Sequence, residues 1–361
     1  MTRPLDPVER ALLAQLGSDP DDEQARSVLA DHWLTGVDEP RGALVQQQSA
    51  GQDGRALLAA HGARWRATAV AHGFAPDQLA FRHGFASNAL VLEADDPLLA
   101  SPDALRLSPR QYVVVRELES TSWRRHFEAL GRTVAGPIGR FALKCAHPEV
   151  HREIERDAML LASLAHPHTN RLVDLAIHRA CGLAVVTPWA GAPLALGAAP
   201  DEARALRLGV PLAGAVSSLA ARGIVHRHVE PGAVLVRDDG HVTLAGLGDA
   251  TAPGVPPPGQ NTYGHLAFNF RYFSPEQAFA RQPITAATDV FSLAVLLATV
   301  ALGRHPLRYV ETDYAVVQAI RDHAYDVPDD TPLLRLLRTA IVADPAARPT
   351  AAELAAGLAA L

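Results

Sequence analysis

The sequence predicts an α+β protein in two parts: a small, mainly helical N-terminal domain, then a larger domain that opens with β-strands and closes with helices. Three observations carry this prediction. Apolar residues recur at helical spacing through residues 7–48, short apolar β-type runs occupy 112–118 and 141–144, and an unbroken apolar stretch runs from Val290 to Leu302. With 361 residues, 48% of them hydrophobic, the chain is long enough to bury two cores.

Residues Pro7 to Gln48 read as two short helices, the first carrying Leu12, Leu13 and Leu16, the second Val28, Leu29, Trp33 and Leu34. The turn Asp19-Pro20-Asp21-Asp22 separates them. A polar Gly/Gln stretch from Gln46 to Gly54 precedes a helix-prone segment at Leu57 to His72, then Phe81-Arg82-His83-Gly84-Phe85 and a short strand at Ala89 to Leu92. Prolines at 97, 102 and 109 mark residues 95–110 as a linker between domains at 1–94 and 111–361. Val290 to Leu302 is too short to span a bilayer and reads as a buried helix.

The charge balance, 33 basic against 39 acidic residues, leaves a net charge of -6 and no broad basic surface, which argues against nucleic-acid and anionic-lipid partners. Cys145 and Cys181 are too few for a disulfide framework and suit a reducing compartment. Met1 to Arg10 lacks the apolar core of a signal peptide. These features predict a cytoplasmic protein whose partners are proteins rather than membranes. Every basic residue is arginine except Lys144.

In the N-terminal part, Asp19-Pro20-Asp21-Asp22, Arg26 to Leu34 and Asp38-Glu39-Pro40-Arg41-Gly42 resemble the short bacterial repeat-companion domain, over about the first ninety residues. The resemblance implies a docking module without chemistry of its own.

The rest resembles the bacterial Ser/Thr protein kinases, motif by motif and in order. Phe141-Ala142-Leu143-Lys144 stands where kinases have Val-Ala-Ile-Lys, and Leu164-Ala165-His166-Pro167 looks like the bend after their αC helix. Gly223 to Pro231, with His226-Arg227-His228, matches the catalytic loop, and Val234 to Gly248 matches the following hairpin and metal-binding motif. Tyr272-Phe273-Ser274-Pro275-Glu276-Gln277, Asp289-Val290-Phe291-Ser292-Leu293 and Asp344 to Thr350 complete the series. The resemblance implies a two-lobed fold, with a small antiparallel β-sheet lobe plus αC over 111–190 and a larger helical lobe over 191–361. It further implies a structural ion pair between Glu276 and Arg348, and a catalytic-loop backbone held by Asp289.

Phosphoryl transfer needs a held nucleotide, metal ions on its phosphates and a residue that orients the attacking hydroxyl. The phosphate-covering loop lacks its glycines and reads Glu119-Ser120-Thr121-Ser122-Trp123-Arg124. The base position is His228, the metal-binding asparagine is Ala233, and the metal-binding aspartate is Gly246. Losing the base costs about 10²- to 10⁴-fold, and losing the metal removes several kcal/mol of charge neutralisation. No metal site is therefore expected. His147, His151, His166 and His168 have the spacing of no compact ligand set.

What survives is Lys144, whose αC partner by position is Asp157, and a hinge at Val185-Val186-Thr187-Pro188-Trp189-Ala190 that offers backbone to an adenine ring. A compact ammonium is not interchangeable with the arginine used elsewhere, so a lone lysine at this position points to a retained need for it. The segment Asp249 to Arg271 takes the activation-loop position, with Thr251, Thr262 and Tyr263 expected to be exposed and a phosphorylated residue able to meet Arg227. The sequence thus predicts a pseudokinase: a regulatory signalling scaffold that needs no cofactor, with ATP or ADP bound without Mg, if at all, through Lys144, Asp157, Thr187, Trp189 and Ala190. Two alternatives stand beside it. One is a divergent Ser/Thr kinase using Lys144, Asp249 as a displaced metal ligand and neutral His228 as base; the other is a metal-independent nucleotide sensor.

Overall fold

The computed structural model describes residues 3–120, 124–146, 151–256, 270–279, 283–307 and 312–361. Two compact units emerge, the first from residues 1–155 with 172–189, the second from 156–171 with 190–361.

The first unit begins with three helices, α1 (Pro7–Ser18), α2 (Glu23–His32) and α3 (Glu39–Ser49), where the hydrophobic spacing predicted two. The predicted second helix breaks because Gly36 adopts φ 102 inside the turn Trp33–Val37, and Pro40 suits the first turn of a new helix. The polar stretch from Gln46 is therefore helical as far as Ser49. Leu13, Leu16, Leu29, Trp33 and Val45 share one core under these helices. After α4 (Arg55–Ala71), the hairpin of β1 (Phe81–Arg82) and β2 (Phe85–Ala86) turns through His83 and Gly84, both at positive φ. Glycine is required at 84, where a Cβ would lie 2.4 Å from Val45 Cγ2.

Residues 95–110, read from sequence as a linker, hold a short helical turn (Pro97–Ala100) that buries Leu98, and α5 (Pro102–Leu107). Arg106 of α5 is buried and reaches back 97 residues to Glu9, its Nε 2.7 Å from Oε1 and its Nη2 3.0 Å from Oε2. Trp33 Nε1 and Arg3 donate to the same carboxylate. Both charges gain partners, as burial demands.

The β-rich lobe is built from β4 (Gln111–Ser120), β5 (Arg124–Thr133), β6 (Gly136–Ala146), β7 (Asp174–His178) and β8 (Gly182–Pro188), paired antiparallel in the order β4-β5-β6-β8-β7. Beside the antiparallel sheet that the resemblance implied, β3 (Ala89–Leu92) runs parallel to both β4 and β7 and closes the lobe into a barrel. All four β3 side chains are buried because the strand has an apolar neighbour on each face. Ala89 and Val91 join the barrel interior with Tyr112, Phe127 and Leu143, while Leu90 and Leu92 join Trp65, Phe74 and Leu107 outside it. α6 (His151–Ala162) follows β6 in the chain.

The second unit contains the residues of α6 from Arg156 onward and a three-stranded antiparallel sheet of β9 (Ala192–Pro193), β10 (Val234–Val236) and β11 (Val242–Leu244), in the order β11-β10-β9. Its helices are α7 (Glu202–Ala221), α8 (Pro275–Phe279), α9 (Ala286–Leu302), α10 (Asp313–Arg321), α11 (Pro332–Ala340) and α12 (Ala351–Ala359). α9 is buried without interruption from Thr288 to Ala301 and forms the axis against which α7, α11 and α12 pack. Among the described residues, no helix is long and apolar enough to cross a membrane.

Candidate active site

The catalytic-loop segment of the second unit is set from beneath by α9. Asp289, buried in its first turn, accepts the backbone N–H groups of His226 and Arg227 at 2.7 Å each. Gln277 Nε2 donates to the Arg227 carbonyl at 2.6 Å. These contacts hold Arg227 at φ 67, a left-handed conformation unusual for a side-chain-bearing residue. His226 is fully buried, and its Nε2 lies 2.8 Å from the Ala245 carbonyl. Burial pushes its pKa down to about 4, so the ring is neutral.

His228 lies between two carboxylates. Its Nδ1 is 3.1 Å from Asp249 Oδ2 and its Nε2 is 3.1 Å from Glu230 Oε1. Burial opposes the charged ring, but the hydrogen bonds with Asp249 and Glu230 prevail and raise its pKa to about 9. The residue expected to be a neutral base is therefore an imidazolium at neutral pH. Asp249, considered from sequence as a displaced metal ligand, instead orients this ring from the short turn Leu247–Asp249.

Ala233 and Gly246 are neighbours here, since the Ala245 N–H donates to the Ala233 carbonyl at 2.8 Å and a Cβ on Gly246 would lie 3.6 Å from that of Ala233. Neither offers a donor atom from a side chain, and among the described residues no group of three or more His, Cys, Asp and Glu is placed to hold a metal. The residues at these two positions do not fit a divalent cation. His166 and His168 are ring neighbours at 5.8 Å, His168 also stacks on His241 at 4.7 Å, and its Nδ1 is 2.7 Å from the Val242 carbonyl. His147 and the His151 side chain lie outside the described residues.

Below the loop, Arg348 and Glu276 form a two-pronged pair, Nη1 to Oε1 at 2.7 Å and Nη2 to Oε2 at 2.9 Å, with side chains 0% and 1% exposed. Thr288 Oγ1 donates to the carboxylate at 2.7 Å, while the carbonyls of Ala287, Val342 and Ala343 accept from the guanidinium. The sequence-derived roles of Glu276, Arg348 and Asp289 thus have direct counterparts in the geometry. Arg156 was missed. Buried on α6, it donates to the carbonyls of Gly248 at 2.7 Å and Pro256 at 2.9 Å, pinning the segment that carries Asp249. Only the helical spacing that buries it could have signalled this, because its acceptors lie about ninety residues away. Thr251, expected to be exposed, is half-buried and paired with Val225 through two backbone hydrogen bonds of 2.9 Å. Thr262 and Tyr263 lie outside the described residues.

In the first unit, Lys144 stands on β6 between His126 of β5 and Val185 of β8. Thr187 is buried, with Oγ1 3.4 Å from the Ala142 carbonyl. Trp189 does not present a free hinge donor, for its N–H goes to the Arg140 carbonyl at 3.1 Å and the Arg140 guanidinium covers its ring at 4.8 Å. Glu119, at the head of the glycine-free loop, pairs with His126 at 3.2 Å, and that bond lowers its pKa. Trp123 and its two predecessors lie outside the described residues. Asp157 and Ala190 are buried in the second unit.

Comparison with known families places this constellation. A family model described as "Protein tyrosine and serine/threonine kinase" matches residues 140–358, more than half of the chain. The chain belongs to the protein kinase family. The chain is 29% identical over 258 residues to the serine/threonine-protein kinase AfsK of Streptomyces coelicolor, covering 64% of this chain and 31% of that protein. It is 30% identical over 271 residues to the serine/threonine-protein kinase PkaA of the same organism, covering 67% and 48%, and 30% identical over 250 residues to AfsK of Streptomyces griseus, covering 62% and 30%. It therefore spans between 30% and 48% of the length of these relatives.

These relatives overturn the expectation of a pseudokinase scaffold without phosphotransfer. The chain resembles proteins named as serine/threonine-protein kinases over about two thirds of its own length. The expectation failed because it counted the catalytic side chains as losses one at a time. In the folded loop, His228 gains two carboxylate partners that change its charge, which the motif by itself does not express.

Proposed function

We propose that the chain is a divergent serine/threonine protein kinase that transfers the γ-phosphoryl group of ATP to a hydroxyl of a protein substrate. The observation that carries this reading is the ordered backbone of the catalytic loop: Asp289 clamps it, and His228 is held as a cation between Asp249 and Glu230. In a loose phosphoryl-transfer transition state the demands are positioning and neutralisation of phosphate charge. The His228 imidazolium meets the second demand with a positive charge, and Lys144 is the lysine of the family motif. As the new O–P bond forms and the bond to ADP breaks, the hydroxyl proton passes to Glu230. Its side chain is 20% exposed against 8% for Asp249, so it is the accessible carboxylate of the pair.

Incubation with γ-labelled ATP and a mixture of Ser/Thr-containing protein substrates tests the reading. Wild-type protein should incorporate label, Lys144→Ala should lose it, and Glu230→Gln should lower the rate by about 10²- to 10⁴-fold. Because the charged imidazole is the working form, the rate should fall as pH rises through about 9. A rate that climbs through that pH would show His228 acting as a base. Incorporation that is indifferent to Lys144→Ala would defeat the proposal.

A further inference from the structure

The first unit brings both cysteines of the chain together. Cys145 on β6 and Cys181 in the β7–β8 turn belong to the same barrel core, 0% and 6% exposed. Neither is in a disulfide. The surroundings of Cys181 are polar for so buried a sulfur. Arg125 Nη1 donates to its Sγ at 3.6 Å, and its own backbone N–H donates to His178 Nδ1 at 3.3 Å. Since Nδ1 also accepts from the Ala180 N–H, the ring proton sits on Nε2, which faces Glu93 at 3.4 Å. Arg125 is held by two bonds to Glu117 and lies over Phe127, which in turn stacks on His178. A cleft of about 370 Å³, lined by Glu93, Glu117, Arg125 and Phe127, opens beside this group.

Core packing alone does not call for this arrangement. A structural buried cysteine sits among apolar groups and is inert, whereas a reactive one has a cation beside it and a route to solvent. We propose that Cys181 and Cys145 are a dithiol site for reversible oxidation by peroxides, with Cys181 the attacking sulfur and Cys145 the resolving one. The Cys145 thiol favours the Cys181 thiolate against burial, with Arg125 adding to it, and the neighbouring Cys181 in turn raises the Cys145 thiol.

In the first step the Cys181 sulfur attacks one peroxide oxygen. The S–O bond forms, the O–O bond breaks, and the departing hydroxide or alkoxide takes up the proton that Cys181 released on forming its thiolate, leaving a sulfenic acid and water or an alcohol. In the second step the Cys145 sulfur displaces that hydroxyl, with S–S bond formation, S–O cleavage and release of water. Two thiols give up two electrons, and the peroxide takes them. A thiol reductant reverses the change.

The test treats the full-length protein with hydrogen peroxide and follows intact mass and peptide maps. The expected product is two hydrogens lighter, with a single intramolecular crosslink between the Cys145 and Cys181 peptides. Cys145→Ser should instead stop at a sulfenic acid that dimedone traps at Cys181, and Arg125→Gln should slow the trapping by about tenfold. To cover a variant that fails to fold, wild-type protein is also pulsed briefly with peroxide and dimedone together, where label should favour Cys181. Three results would overturn the proposal: thiols no more reactive in native than in denatured protein, dimedone label favouring Cys145 in the wild type, or disulfides only between molecules. These readouts are masses, so they stand or fall separately from phosphotransfer.

Discussion

Two charge clusters of the second unit, one buried and one partly exposed, invite comparison. Glu276 and Arg348 are 1% and 0% exposed and joined by two parallel hydrogen bonds, with the remaining guanidinium donors taken by backbone carbonyls. Asp249, His228 and Glu230 are 8%, 17% and 20% exposed, and the central ring makes one contact with each carboxylate. The first cluster pairs an always-charged group with a carboxylate that Arg348 and Thr288 hold ionised against the cost of burial. The second centres on a group whose charge disappears only as pH rises through about 9. A charge that never changes suits a fixed joint, and a charge that can change suits a site that meets phosphate and protons.

The sharpest break in this contrast should come from Arg348→Ala, which orphans a buried carboxylate. We expect a loss of about 3–5 kcal/mol in unfolding free energy, measured by chemical denaturation, with little dependence on pH between neutrality and mild alkali. Equal losses for Arg348→Ala and Arg348→Lys would show that the fork geometry is irrelevant.

The second cluster should behave differently with pH. The folded pKa of His228, about 9, lies above its ordinary 6.5, so its stabilisation is fully present below about 6.5 and disappears as pH rises through 9. The span corresponds to roughly 3 kcal/mol. His228→Gln should therefore be less stable than wild type by about that amount near pH 6 and match it above about pH 9.5, which denaturation curves at the two pH values would reveal. A constant difference at both would sink the imidazolium assignment.

The smallest effect should come from Asp249→Asn, which keeps the shape and removes one of the two carboxylates. The His228 pKa should fall, followed as a shift in the pH midpoint of its ring proton resonances, with a cost in stability near neutrality of about 1–2 kcal/mol. An unchanged midpoint would assign the raised pKa to Glu230 alone.

Much of the fold and part of the site were legible from residue order. The catalytic-loop segment, the clamp from Asp289 and the Glu276 to Arg348 pair are motif features, because each residue serves a backbone or ionic role that few others can fill. The buried α9 announced itself as an unbroken apolar run. Other features were not legible. The four apolar residues of β3 carry no sign that they pair with strands about twenty and eighty-five residues further on, and Arg106 gives no hint of Glu9. Arg156 looks like any helix arginine until its carbonyl acceptors are in place.

By itself, then, the sequence determined the family, the order of its motifs and the identity of the groups at each catalytic position, since these depend on residue type and spacing alone. Tertiary structure decided what those groups are chemically. His228 is a cation rather than a base because folding buries it and sets a carboxylate against each ring nitrogen, and Cys181 is a poised sulfur rather than core filling because Arg125, His178 and Cys145 converge on it. Charge states depend on the distances between groups far apart in the chain, and only the folded chain sets those distances.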